Sequence, residues 1–157
     1  MPFISSITAT ISQIESRLDR DARYLLVDVK KGSVYILACL VRDMPISIGE
    51  HMQCILVTDI PTNTARMTLL ASDWSFIRRS YSMEEVGGNM VSIADITFDR
   101  AGDWIVLAEF GDGKITSIKA SVAFNVVPEG VLGTIAIITT TLATTALYLR
   151  RRISNHK

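Results

Sequence analysis

Residues that build metal sites and disulfide scaffolds are scarce in this sequence. The 157 residues include two cysteines and two histidines. Two cysteines are too few for a disulfide-rich scaffold or a four-cysteine zinc site. A blue-copper site needs two histidines beside a cysteine, whereas His156 lies in the C-terminal tail. We therefore expect no metal ion and no cofactor.

An excess of charge of one sign is also lacking, since sixteen Lys and Arg balance sixteen Asp and Glu. Four of the basic residues lie in the last eight positions, namely Arg150, Arg151, Arg152 and Lys157. Residues 1–149 therefore carry twelve basic and sixteen acidic groups. Because phosphate binding needs clustered Lys and Arg, this acidic body excludes nucleic acid as the main ligand.

A catalytic constellation is missing as well. His51 and Cys54 form an H-x-x-C pattern, but a separation of three places them on opposite faces of a strand, away from a shared metal ion. A Ser-His-Asp triad would have to use His51, and no nucleophile motif lies near it. Asp95, Asp99 and Asp103 fit either a calcium site at the end of a sandwich or, more commonly, solvated loops. We predict a protein that is not an enzyme.

A long uncharged run lies near the C-terminus. Val131–Leu149 contains nineteen residues without charge. As a helix it would be about 28 Å long, close to the hydrocarbon thickness of a bilayer. Tyr148 falls at the membrane interface, and Arg150–Arg152 follow as a stop-transfer cluster. We predict a transmembrane helix over residues 129–150 and a basic cytoplasmic tail over 151–157, in preference to a buried core helix.

The chain before this run has the pattern of an all-β domain. Short apolar segments alternate with turn signals such as Gly87-Gly88-Asn89 and Gly111-Asp112-Gly113, and no good helix separates them. This spacing predicts an antiparallel sandwich or barrel. The predicted strands are Tyr24–Val29, Ser33–Val41, Met52–Thr58, Ala65–Leu70, Ser75–Arg79, Val91–Phe98, Asp103–Phe110 and Ile118–Val127.

Two segments resemble parts of a known fold and make the fold prediction more specific. Phe98–Ala108 resembles the corner before the penultimate strand of an immunoglobulin-like (Ig-like) sandwich, where a small-Gly pair turns the chain and an aromatic opens the next strand. Ile48–Met52 resembles the start of an early strand in such domains. The resemblance implies a mainly β, Ig-like antiparallel β-sandwich over residues 23–128. Strand parity places Trp104, Val106, Ala108 and Phe124 in its core.

The first 22 residues carry a helical pattern. Ile4, Ile7, Ile11, Ile14 and Leu18 recur at spacings of three and four. Two heptads are fewer than a coiled coil usually needs, so an amphipathic helix packed on the sandwich or on a neighbouring subunit is the favoured interpretation.

Cys39 and Cys54 flank a loop centred near Ile46, so two outcomes are open for them. They form a disulfide if the domain is extracellular, or they remain two buried thiols. A further open choice concerns Trp74 and Phe76, which either form an exposed contact patch or, as such aromatics more often do, pack in the core or at an edge.

The end of the domain resembles a known kind of anchor. Val127-Pro128-Glu129, the step Gly133–Ala136, an apolar span and a basic tail resemble the PEFG-CTERM anchors of archaeal, thaumarchaeal-type surface proteins. The resemblance implies a single-pass protein of the cytoplasmic membrane with its β domain outside the cell. The arginines after the span predict the same orientation, although no export signal is visible in the first residues.

Two functional classes follow. The first is a membrane-anchored, non-catalytic sandwich with a binding or structural role at the cell surface. The second is an accessory single-span subunit of an integral-membrane enzyme complex of respiratory or monooxygenase type. A stripe of small residues along the span favours the second class, because such stripes allow close helix approach. The anchor residues we single out are Val131, Ala136, Thr140, Thr144 and Tyr148. The expected partners are the lipid bilayer and proteins at the cell surface or in the membrane.

Overall fold

The structure is a computed structural model that describes residues 2–30 and 34–123. One helix precedes ten strands. Helix α1 spans Pro2–Ile14 and is followed by a 3-10 turn at Glu15–Arg17. The strands are β1 Tyr24–Lys30, β2 Tyr35–Val41, β3 Ile46–Ser47, β4 His51–Thr58, β5 Thr64–Ala71, β6 Phe76–Ser82, β7 Glu84–Val86, β8 Asn89–Thr97, β9 Gly102–Phe110 and β10 Ile115–Ala123. The predicted span, the basic tail and Phe124 lie outside the described residues.

The strands form two five-stranded sheets. The first sheet has the order β1-β2-β4-β8-β7, and the second has the order β3-β10-β9-β5-β6. Neighbouring strands are antiparallel except β3, which runs parallel to the end of β10 with Ile46 opposite Val122. The prediction of a mainly β body with a short N-terminal helix is therefore confirmed.

The core lies between the inner faces of the two sheets. Strands β2, β5, β9 and β10 each alternate between more and less buried positions, as strands with one inner face do. Trp104 is the largest fully buried side chain; its ring lies 5.4 Å from that of Phe98, and its indole N–H donates to the Arg100 carbonyl. Val106 and Ala108 are fully buried beside it. The predicted core positions Trp104, Val106 and Ala108 are confirmed.

Helix α1 packs on the outer face of the first sheet. Ile14 is buried there in a second cluster with Ile55, Val57 and Val91. Thr10, also fully buried, donates to the Val86 carbonyl at 2.9 Å. The favoured interpretation of the N-terminal pattern, an amphipathic helix packed on the sandwich, agrees with this contact.

The β7–β8 turn fits closely under the helix. Gly87 has φ +61°, and a Cβ placed on it would lie 2.9 Å from the backbone nitrogen of Thr10. The Asn89 amide donates to the hydroxyls of Ser6 and Thr10 at 2.8 and 2.9 Å. Because residue 87 is glycine, the helix and the turn can approach closely, and the hydrogen bonds from Asn89 hold them together.

Candidate functional site

The outer face of the first sheet divides into a covered half and an open half. Helix α1 lies over β4 and β8, whereas β1 and β2 carry apolar side chains beyond it. We call these side chains the open face. It consists of Leu25, Val27 and Val29 on β1 and Ile36, Ala38 and Leu40 on β2.

Strand register brings the members of the open face together. Leu25 pairs with Leu40, Val27 with Ala38 and Val29 with Ile36, so three apolar pairs stack along two neighbouring strands. Leu25 is 59% exposed, and Val27 and Val29 are each 50% exposed. The β2 side chains are half-buried and pack against the cluster under α1.

The opposite face of β1 explains why these residues point outward. Leu26 packs against the main core, and the Asp28 carboxylate accepts a hydrogen bond from the Ser117 backbone N–H. Because alternate side chains of a strand leave opposite faces, Leu25, Val27 and Val29 are directed away from the core. Contiguous exposed apolar side chains of this kind mark interaction surfaces in folded proteins.

Cys39 and Cys54 meet inside the first sheet. They are direct cross-strand partners of β2 and β4 with Cα atoms 4.1 Å apart, and the structure joins them in a disulfide. Both are fully buried on the core side. Of the two outcomes left open by the sequence, the structure contains the disulfide, which is the form that persists in oxidising compartments.

The residues considered for chemistry lie apart. His51 is exposed at the start of β4, on the face opposite to the disulfide-bonded Cys54. Asp99 forms an ion pair with Arg100. In the part of the chain that the structure describes, no group of three His, Cys, Asp or Glu side chains is placed to hold a metal ion.

Asp103 is held by the neighbouring strand instead. The Ser121 hydroxyl donates to its carboxylate at 2.8 Å, and the Lys119 ammonium lies 3.5 Å away. The hydrogen bond from Ser121 and then the Lys119 charge lower the pKa of Asp103. These contacts stabilise the start of β9 against the end of β10.

Trp74 and Phe76 are exposed on the β5–β6 hairpin. Trp74 is 80% exposed, and Phe76 at the start of β6 is 58% exposed. The Arg78 guanidinium lies 5.1 Å above the Phe76 ring, which is a cation–π contact. Burial in the core is wrong for both aromatics, whereas Phe76 does lie on β6, the edge strand of the second sheet. They form an exposed patch at the edge of the second sheet.

The predicted anchor residues lie beyond the last described strand. Val131, Ala136, Thr140, Thr144 and Tyr148 and the cluster Arg150, Arg151 and Arg152 all fall after residue 123, outside the described residues. Among residues 2–30 and 34–123, no helix is both long and apolar enough to span a bilayer.

Comparison with known proteins adds no family to this description. No protein-family model matches the sequence, and no curated protein matches it significantly.

Proposed function

We propose that this chain is a membrane-anchored, non-catalytic β-sandwich whose body lies outside the cell and binds another protein. The observation that carries the binding role is the open face. Burying a large apolar side chain contributes about 1.5–3 kcal/mol. Leu25, Val27 and Val29 are each at least half exposed in the structure. A protein partner that covers them would recover much of that free energy.

We propose further that the sandwich is of the Ig-like kind. Strands β2, β4, β8 and β7 lie in the order of the A, B, E and D strands of such domains. Strands β10, β9, β5 and β6 lie in the order G, F, C and C′. On this interpretation β1 is an additional edge strand before strand A, and it is the strand that exposes the open face.

The extracellular location is supported by two features. The buried Cys39–Cys54 disulfide fits an oxidising compartment. The uncharged run Val131–Leu149, followed by three arginines, fits a single span with its tail in the cytoplasm. The resemblance to PEFG-CTERM anchors leads us to propose an archaeal surface protein of thaumarchaeal type.

The binding role is tested by the native mass of the full chain purified from its own membranes in mild detergent. Val27→Lys places a charge in the centre of the open face, so we expect the wild type in a complex and the variant as a single protomer. Ile115→Lys is the matched control, because Ile115 is similarly exposed on β10, away from the open face. A wild type that runs as a lone protomer would contradict the binding role.

The same purification separates the two functional classes. A partner that is a surface protein or a second copy of this chain agrees with the first class. Polytopic subunits that co-purify with the wild type and are lost from Val27→Lys would replace it with the second class, an accessory subunit of an integral-membrane enzyme complex. An open face that packs permanently on a larger subunit would also be apolar, so the open face is compatible with this alternative.

Orientation requires its own measurement. Intact cells treated with a membrane-impermeant protease should lose the β domain, because the proposal places it outside. Full protection until lysis would show that the domain is inside, and the proposed location would then be wrong.

A further inference from the structure

The last described strand, β10, finishes at one end of the sandwich. We call this end of the sandwich the exit pole. Val122 pairs with Gly102 on β9 and with Ile46 on β3, and β10 ends one residue later at Ala123. The β2–β3 loop (42–45), the β5–β6 turn (72–75) and the β8–β9 loop (98–101) lie at this end, because the strands they join end or begin there.

Trp74 lies at the tip of one of these turns. The turn is closed by the Ala71 N–H, which donates to the Ser75 carbonyl at 2.9 Å, and the Trp74 N–H donates to the Ala71 carbonyl at 3.0 Å. Asp73 accepts from the Ser75 N–H at 3.0 Å. These three hydrogen bonds within five residues fix the backbone, so the indole is held in solvent by a structured turn.

The backbone conformation at Trp74 is unusual for its side chain. Its φ is +66°, in the left-handed region where three-residue hairpin turns normally carry glycine. A bulky residue there is strained relative to glycine. An indole that is 80% exposed, at a position that favours glycine, buries little surface against the fold, which points to a role outside the fold.

Other exposed apolar side chains share the exit pole. Tyr24 opens β1, Met44 lies in the β2–β3 loop and Phe76 opens β6, and each is close to half exposed or more. Together with Trp74 they present aromatic and thioether groups at the end of the sandwich where β10 finishes. Tryptophan and tyrosine are enriched where an apolar phase meets water, especially at membrane interfaces.

The charges near Trp74 are balanced. The Arg100 guanidinium lies 2.9 Å from the Asp73 carboxylate and 3.5 Å from that of Asp99. Since the loops of the exit pole carry no excess of basic residues, attraction to anionic lipid headgroups would contribute little. A contact made by this end with lipid would depend on its apolar side chains, and salt would leave it unchanged.

The length of the following chain limits how far this end can be from a membrane. Seven residues, 124–130, separate Ala123 from the uncharged run that begins at Val131. Even fully extended, they reach at most about 25 Å. If the run is the membrane anchor proposed above, the exit pole stays within that distance of the bilayer.

We propose that the exit pole rests on the lipid surface, with the Trp74 indole in the headgroup region, Phe76 beside it, and Met44 further along the same end near β3. This inference rests on the proposed membrane anchor. It makes the β5–β6 turn a second, weaker membrane contact, which fixes the tilt of the β domain and the direction in which the open face is presented.

The fluorescence of the full chain in phosphatidylcholine vesicles tests this contact. The chain has two tryptophans, and Trp104 is buried in the core, so Trp74 is the one that external quenchers reach. A spin label on the lipid headgroup region should remove roughly half of the emission of the wild type, since one of two indoles is in contact with lipid. The loss should be absent in Trp74→Gly, and aqueous iodide should have little effect on the wild type.

Trp74→Gly also serves as the folding control. Glycine suits the left-handed turn, so this variant should melt no lower than the wild type. Adding Ile115→Trp to it places an indole at the other end of β10, opposite Glu109. That indole should be quenched by iodide and not by labelled lipid.

Each other result overturns the inference. If the protein floats with the vesicles but the fluorescence of Trp74 is quenched by iodide alone, the protein is anchored and its exit pole is held away from the bilayer. A Trp74 protected from both quenchers would be covered by protein rather than by lipid. A wild type that does not float with vesicles would overturn the membrane anchor itself, and this inference with it.

Discussion

The Asp28 carboxylate accepts a hydrogen bond from the backbone N–H of Ser117 at 2.8 Å and thereby joins the edge strands of the two sheets. Asp28 lies in the middle of β1, and the Ser117 N–H is directed to the edge of β10 opposite to β9. Beyond the short pairing with β3, this edge of β10 is open to other strands. An inward-facing carboxylate is one of the devices by which proteins block such an edge.

We predict that Asp28→Ala destabilises the domain by about 1 kcal/mol and increases its aggregation, because the Ser117 N–H loses its acceptor and the β10 edge becomes available. Urea unfolding and light scattering at constant ionic strength measure the two effects. Asp28→Asn, which retains an acceptor oxygen, should aggregate less than Asp28→Ala. Equal behaviour of the two variants would contradict the role of the hydrogen bond.

The core is probed by Trp104→Ala. Removing a fully buried indole that packs at a tilt against the Phe98 ring should lower the free energy of unfolding by about 3–5 kcal/mol. Ile105→Ala is the control, because the neighbouring side chain points to the outer face and is 40% exposed; its cost should stay below about 1 kcal/mol. A loss below about 1 kcal/mol for Trp104→Ala would mean that the core assignment is reversed.

The contact between helix α1 and the β7–β8 turn is probed by two adjacent glycines. Both have positive φ, +61° at Gly87 and +85° at Gly88, so alanine at either is strained. A Cβ at Gly87 would also collide with Thr10, whereas a Cβ at Gly88 meets nothing within 4 Å. Gly87→Ala should therefore be more destabilising than Gly88→Ala.

Hydrogen exchange locates that difference. Amides of α1 and β7 should exchange faster in Gly87→Ala than in Gly88→Ala, because the collision displaces the helix from the sheet. The same exchange in both variants would show that the helix does not depend on this close approach.

Stability should fall in acid. The pKa of Asp19 is lowered by a hydrogen bond from Arg42, and that of Asp73 by hydrogen bonds from the Ser75 hydroxyl and N–H and by the Arg100 charge. A carboxyl with a lowered pKa in the folded state contributes stability above its unfolded value of about 3.9. That contribution is lost as the pH falls through the lower pKa that the carboxyl has in the folded state.

Melting curves between pH 7 and pH 2 should therefore show a constant melting temperature down to about pH 5 and a decline below it. Asp73 is exposed and Asp19 is half-buried, so high salt should make the decline shallower, chiefly through Asp73. Asp73→Asn should reduce the slope, since the amide does not titrate. A slope unchanged by this variant would assign the acid sensitivity to other carboxyls.

The elements that the sequence predicts well are those whose side chains alternate. Strands β9 and β10 bury every second residue, and Trp104, Val106 and Ala108 follow from parity alone. Strand β7 has no such pattern: Glu84–Val86 is held by pairing with β8 and by the Thr10 contact with the Val86 carbonyl. Strand β3 exists because two residues meet the distant end of β10. Both depend on non-local contacts, so local sequence patterns do not indicate them.

The exposed surfaces were harder to predict for a different reason. In β1, Leu25, Val27 and Val29 alternate with Leu26, Asp28 and Lys30, and such alternation normally indicates that the uniformly apolar face is the buried one. Helix α1 covers β4 and β8 and leaves β1 uncovered, so the position of the helix decides which half of the outer face stays exposed. At Trp74 a signal was present: Asp73 and Ser75 are typical of a side-chain-capped turn, and a residue inside such a turn points to solvent.

The way β10 is bonded has a mechanical consequence. Eight residues of β10 pair with β9, and the strand ends at Ala123. A pull applied to that end while the open face is held would load these hydrogen bonds in shear, so they would resist together rather than open one by one. The loop closed between Cys39 and Cys54 cannot lengthen under the same load. Such bonding would let the domain carry tension between a protein bound to β1 and the end of β10, as the proposed anchored binding role requires.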